Sequence, residues 1–356
     1  MRISFHVTHL LIVLMLVAVA GLAVAPTPPP ALAVAPVDPT PQLTTVRFGS
    51  PQAISDAGVF IGQDRGFFAE EGITVDTLPF QSGPYTIPAL ASGDLETAGG
   101  TISTALFNAV ERGIDIKMVA DKGTSRPGFE FVQVAVRPEL LGGEVQSIAD
   151  LRGRRIAVAS LQSGAESLVA HVLAEGGLDI DDVDLQQLGY GDMIVAFGND
   201  AIDGANIIEP SLSAAVERGV AATWEPGRSS TAFGGVYQAA TVVFSGQFAA
   251  QTDLARRFMI GYLKGVRVYN DAFAKGEGRS DVVRILIEHT AVKDPTAYER
   301  MHMAGLDPDG RIARESLQRD LDYFHQRGYY TGPVTLDDLI DSSFAEYAAQ
   351  QLGPYQ

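Results

Sequence analysis

From Val46 onward, short runs of β-branched and apolar residues alternate with longer windows whose apolar positions recur every three or four residues. Runs of the first kind suit buried strands, and windows of the second kind suit amphipathic helices. Strands are predicted over 46–49, 73–80, 95–98, 116–120 and 131–136, with helices between them. One helix opens at Gly83-Pro84, with proline in its first turn and Gly93 past its end, the usual asymmetry of helix termini. Another opens at Thr101 or Ser103 and stops at Gly113. This alternation predicts an α/β sheet with mostly parallel strands.

The plan then restarts. Strands are predicted over 155–159, 185–188 and 205–208. Ser163 and Glu166 have capping-box spacing ahead of a helix with Leu168, Val169, Val172 and Leu173 on one face,. Asp192 is read as the cap of the next helix. Segments 89–96 and 196–203 both run from a helix end through a polar turn into a strand, which suggests two similar lobes. A strand over 241–244 is expected to return to the first lobe, and the rest of the chain reads as helical. There, Thr252 is expected to cap a helix whose Leu254, Phe258, Tyr262, Val266, Tyr269 and Phe273 form one buried stripe,. Shorter helices are predicted over 282–288, 296–304, 312–327 and 336–351.

Composition narrows the function classes. A chain of 356 residues usually makes about two domains,. Its net charge of −17 argues against nucleic acid and anionic membrane surfaces as partners,. The absence of cysteine excludes disulfides, thiol nucleophiles, thiolate metal sites and an acylated lipoprotein anchor,. Arg2, an apolar run over 10–24 and small-residue patterns ending at Ala25 and Ala33 read as a secretory signal,. The run is shorter than the roughly 18–20 residues of a spanning helix. Pro26 disfavours cleavage after Ala25, so residues 1–33 are assigned to the signal, with an uncleaved anchor as the alternative. Residues 34–41 end a proline- and alanine-rich stretch and read as a linker.

Catalytic motifs are missing. His171, His289, His302 and His325 share no metal-ligand spacing, and the chain has no HExxH, GxSxG, P-loop or GxGxxG motif,. The acidic run over 179–184 lacks the glycine and terminal glutamate of a calcium loop. Neither an enzyme nor a cofactor is expected. Instead, five small polar loops follow predicted strands and open helices: 51–56, 81–83, 99–101, 160–164 and 189–192. Ligands in open α/β sheets bind outside the carboxyl ends of strands, where helix N-termini offer free N–H groups. Five such loops divided between two lobes read as a cleft.

Several stretches carry a resemblance. They are 62–73 (GQDRGFFAEEGI), 89–100, 150–158 (DLRGRRIAV) and 202–210 (IDGANIIEP). With them the chain resembles substrate-binding proteins of ABC importers, in the group handling thiamine-pyrimidine precursors, taurine, alkanesulfonates, nitrate and riboflavin. The resemblance implies a two-lobed type II periplasmic-binding-protein fold with hinge strands and a helical C-terminal segment. Lobe one would comprise 42–132 plus 240–356, and lobe two 133–239. A monomer would close around a small molecule and deliver it to an ABC permease and its ATPase, in the periplasm or at the outer face of the membrane.

The family's binding positions fall on Ser82, Gly83, Thr101, Ser160, Gln162, Ser163, Tyr190 and Glu209. Ser55, Gly100 and Asp192 in the same loops, with Phe60 and Tyr85 flanking them, complete the candidate site. Relatives often carry Trp-Glu-Pro-Phe where this chain has Ile208-Glu209-Pro210-Ser211, a departure that removes two aromatics. The loops contain no lysine or arginine, and Phe60, Phe80, Tyr85, Tyr190 and Trp224 could wall a planar ring,. Riboflavin or a thiamine pyrimidine is therefore the expected ligand, with an alkanesulfonate or taurine as the alternative. A ligand sensor, or an enzyme like the pyrimidine synthases with a histidine- and cysteine-rich iron site, fits the sequence less well.

Overall fold

A computed structural model describes residues 43–356. The signal and linker readings over 1–33 and 34–41 lie outside the described residues. No helix among the described residues is long and apolar enough to cross a membrane.

Among the described residues, nine strands form two sheets. In the first, β1 (Thr44–Ser50) lies between β2 (Ile73–Pro79) and β3 (Thr97–Gly100), all parallel. The strand β4 (Ile116–Ser125) reaches β3 only through β9 (Tyr237–Ser245), which is antiparallel to both. In the second sheet, β6 (Arg155–Val158) pairs in parallel with β7 (Asp184–Gln187) and β8 (Gly204–Ile208), and β5 (Val132–Val136) closes the edge antiparallel to β8. The return of 241–244 to the first sheet is thus realised by β9.

The chain leaves the first sheet through β4 and re-enters through β9. These two long strands stay paired out to Ser125↔Tyr237, with register irregularities around Ala120, Asp121 and Gly123. Asp121 holds this region together: its buried carboxylate accepts from Gln238 Nε2 at 2.6 Å, Asp307 N at 2.7 Å and Gly123 N at 3.0 Å. The long helix Thr252–Asn270 buries Phe258, Tyr262, Val266 and Tyr269 of the expected stripe completely, while Leu254 and Phe273 at its ends are half-buried and Gln251, not Thr252, stands at the cap position.

Several boundaries differ from the sequence pattern for physical reasons. The strand expected over 95–98 begins at Thr97, because Leu95 and Glu96 belong to the turn behind it. The strand expected to end at 120 continues to Ser125, since pairing with β9 carries it past its charged residues. Asp192 is no cap: its helix is Tyr190–Gly198, and Gly189 is the residue before it. Glu166 accepts from Gln162 N at 2.7 Å, one residue outside the predicted box. The expected helix over 336–351 breaks into Leu336–Leu339 and Ser343–Leu352, because Ile340 bridges to Met118 and Asp341 N donates to Met118 O at 3.0 Å. The helix expected over 296–304 shrinks to Ala297–Arg300.

Candidate functional site

The carboxyl ends of strands from both sheets face each other, and their loops touch. Ser103 caps the helix Thr104–Glu111, and Ser163 caps the helix Gly164–Glu175 by accepting from Ala165 N at 3.2 Å. The two caps form an antiparallel bridge across the gap. Thr104 N donates to Gln162 O at 3.0 Å, and Gly164 N donates to Ile102 O at 2.9 Å. A third tie runs from Ile54 N to Glu209 O at 3.1 Å. The arrangement is closed. It also uses helix N-terminal amides that such loops would otherwise offer to an anion.

Behind these contacts lies a cavity of about 50 Å³. At roughly 10–15 Å³ for one water, it holds a few waters or one compact headgroup. Gly83 and Gly100 line it with backbone: a Cβ on Gly83 would stand 2.4 Å from Thr101 N. Three polar atoms of its lining, Ser82 Oγ, Thr101 Oγ1 and Asn206 Nδ2, are buried with no hydrogen-bond partner among the described residues. A buried group left in that state costs roughly 1–3 kcal/mol, so the three converge on a place where a polar ligand would satisfy them.

A cation also lines the cavity. Lys122, in β4, is fully buried; its Nζ lies 2.7 Å from Asp56 Oδ1 and donates to Ser55 Oγ at 3.0 Å. Asp56 is fixed in turn, accepting at Oδ2 from Ser50 Oγ at 2.7 Å and Ala53 N at 3.0 Å. The lysine stem crosses β3 at Gly99, where a Cβ would stand 2.0 Å from Lys122 Cε. Glycine at that position is what lets the side chain reach the cavity.

Of the residues singled out from sequence, Ser55, Ser82, Gly83, Gly100, Thr101, Ser160 and Tyr190 line this cavity. The others lie elsewhere. Phe60 is buried in the core, stacked on His289 with ring centroids 4.6 Å apart. Tyr85 is 41% exposed, and its hydroxyl accepts from Gln187 Nε2 at the outer edge. Gln162 and Ser163 serve the cross-sheet contacts: Gln162 Oε1 meets Thr104 Oγ1 at 3.1 Å, and Ser163 Oγ donates to Ser160 O at 2.8 Å. Asp192 is exposed on its helix.

Glu209 points away from the cavity, accepting from Ser213 N and Ser213 Oγ, each at 2.9 Å, and from His302 N at 3.2 Å. Burial pushes its carboxyl up to about 7 despite those donors,. Trp224 donates from Nε1 to Val134 O at 2.9 Å and does not line the cavity. Sequence reasoning missed Lys122, Asn206, Phe131 and Tyr237, which all line the cavity. Asn206, a lone amide in an otherwise apolar central strand, was a readable signal.

A second chamber of about 280 Å³ adjoins the cavity and shares Pro51, Ala53, Tyr190 and Ile208 with it. Phe80, Pro210 and Ala291 add apolar wall, and no charged residue lines it.

The family described as NMT1/THI5 like matches residues 54–272. A protein of Bacillus subtilis (strain 168), by its name a candidate aliphatic sulfonates-binding protein, is 25% identical over 318 residues, covering 87% of this chain and 90% of that one. The taurine-binding periplasmic protein of Escherichia coli (strain K12) is 30% identical over 152 residues, 42% of this chain and 44% of its own length. Among solved structures, the alkanesulfonate-binding protein SsuA from Xanthomonas axonopodis pv. citri, bound to MOPS, matches with a TM-score of 0.67 at 19% identity, over 84% of this chain and 98% of that one. The fold is that of the periplasmic binding proteins.

Proposed function

Because the chain belongs to the NMT1/THI5 like family, we propose that it is the solute-binding component of an ABC importer and that it carries an alkanesulfonate. The observation that supports this ligand most is Lys122 beside the unpartnered Ser82, Thr101 and Asn206 in a cavity sized for a headgroup. All four groups are donors or can act as donors, which suits the oxygens of an anion. The chamber next to the cavity, lined by apolar and neutral polar residues, suits an uncharged tail and has no carboxylate to receive the ammonium of taurine.

The flavin or pyrimidine reading rested on aromatic walls and on loops without a cation. Of its five aromatics, Phe80 and Tyr190 do line the chambers, but Phe60, Tyr85 and Trp224 lie elsewhere, and β4 brings the cation. Binding would proceed by hinge closure about β4 and β9 around the ligand, with residues 42–132 plus 240–356 forming one lobe and 133–239 the other. The cross-sheet bonds at 102–104 and 162–164 stabilise the closed state, and the ligand's higher affinity for it shifts the population,. The exported monomer then docks on a permease, whose ATPase drives transport.

The test is a titration of the purified protein with butanesulfonate, taurine, nitrate, riboflavin and hydroxymethylpyrimidine, read by thermal shift and by fluorescence of the single tryptophan. Butanesulfonate at 100 times its Kd is expected to stabilise by about 2.7 kcal/mol, to be recovered unchanged, and to lose binding in Lys122→Met. A shift with riboflavin or the pyrimidine alone would overturn the ligand assignment. Consumption of any compound would overturn the binding-protein reading itself.

A further inference from the structure

We infer that Asp56 sets the charge of the ligand, restricting the closed cavity to singly charged oxyanions and rejecting dianions of the same size and shape. The inference rests on the anion reading above. Lys122 is the one charged side chain among the residues lining the cavity, and its charge is already matched by Asp56 at 2.7 Å, with both side chains fully buried. Neither partner can swing clear. Asp56 is held by Ser50 Oγ and Ala53 N, and the lysine stem lies against Gly99.

The closed cavity by itself therefore carries no net charge. A monoanion brings it to −1, spread over the lysine and the donors of Ser82, Thr101 and Asn206. A dianion brings it to −2, with the Asp56 carboxylate directly behind the lysine and a lining of side chains that are nearly all buried. The cost of burying charge rises steeply with net charge, and an uncompensated buried ion costs several kcal/mol. A lysine alone would favour the dianion. The pair reverses that preference.

Methanesulfonate and sulfate make the test, since both are tetrahedral about sulfur and differ by a methyl group in place of a charged oxygen. Titration calorimetry of the protein at equal ionic strength is expected to give methanesulfonate at least ~100-fold tighter binding than sulfate. Asp56→Asn leaves the cavity with one positive charge and is expected to narrow that ratio at least ~10-fold. The double variant Asp56→Asn with Lys122→Met is neutral again and is expected to restore the preference for methanesulfonate, with both ligands bound more weakly. If Asp56→Asn does not fold, the wild-type ratio and the double variant still decide. Sulfate binding as tightly as methanesulfonate in the wild type, or an unchanged ratio in a folded Asp56→Asn protein, overturns this inference and leaves the sulfonate assignment standing. Binding of riboflavin with no sulfonate bound overturns both.

Discussion

Replacing Gly99 by alanine tests whether the buried lysine is positioned as described. Gly99 sits in β3 opposite Val242, and its backbone is not left-handed, so the substitution carries no backbone strain of its own. Space is what it lacks. The new Cβ would stand 2.0 Å from Lys122 Cε and 2.9 Å from both Cδ and Nζ, against the about 3.5–4.0 Å at which carbon atoms rest in contact. The stem must retreat by roughly 1.5 Å, which pulls Nζ off Asp56 and Ser55. If the pair survives under strain, overpacking costs roughly 1–3 kcal/mol. If it breaks, the cost is about 3–5 kcal/mol. Reduced unfolded-state entropy offsets only about 0.4–1 kcal/mol.

Urea and thermal unfolding should therefore show a net loss of up to about 4.6 kcal/mol, at about 2–4 °C in Tm per kcal/mol, and ligand binding should fall with it. Gly191→Ala is the control. Nothing stands within 4 Å of a Cβ there, and alanine should leave stability unchanged or raise it by up to about 1 kcal/mol. In a Lys122→Ala background the atoms that Gly99→Ala would strike are gone, so its cost should shrink towards zero. A Gly99→Ala protein more stable than wild type, or one equally destabilised in both backgrounds, refutes the described path of Lys122.

Two further predictions separate ligand-facing groups from structural ones. Ser82→Ala and Thr101→Val remove hydroxyls with no partner among the described residues, so ligand-free stability should hold or rise slightly while sulfonate affinity drops about ten-fold or more, the worth of a hydrogen bond to a charged group. A loss of stability at unchanged affinity would make these hydroxyls structural. Glu209, whose carboxyl is raised from 4.5 to about 7 by burial, keeps its proton in the folded state over a window where the unfolded chain has released it. Stability should therefore fall as pH rises from about 4.5 to about 7, on the order of 3 kcal/mol for this group. Asp121, raised to about 6, adds its own slope, so the quantity to measure is the difference between wild-type and Glu209→Gln unfolding curves. A pH-independent difference would sink the assignment.

What the sequence discloses and what it hides divide along a physical line. Local periodicity and cap chemistry are short-range, so β1, β2, β5, β6 and β8, the Ser103 and Ser163 caps and the buried stripe of the long helix were legible. Polar loops at strand ends were legible too, and seven of the thirteen proposed residues come together around one cavity. Side-chain direction was not. Glu209 looks like a ligand-facing carboxylate until His302, 93 residues away, is found donating to it. Phe60 looks like a cleft wall until the helix Ala57–Asp64 proves to be buried on nearly every side.

Lys122 shows the same limit at its sharpest. In sequence, Asp121-Lys122-Gly123 reads as the polar end of a strand. Three distant segments alter that reading. The pairing with β9 carries β4 on through Lys122, Gly99 clears the path for its stem, and Asp56 with Ser55 receives its ammonium. Each of the three is unremarkable in its own stretch of chain. The polar loops carried a related ambiguity, since a free helix N-terminus is equally suited to an anion and to another backbone carbonyl. At Thr104 and Gly164 the carbonyls of Gln162 and Ile102 take the amides. On the proposed reading, closing the cleft and binding the charge would fall to different atoms, helix amides for the first and side-chain donors for the second. On that reading a substitution at Ser82 should change affinity without opening the cleft.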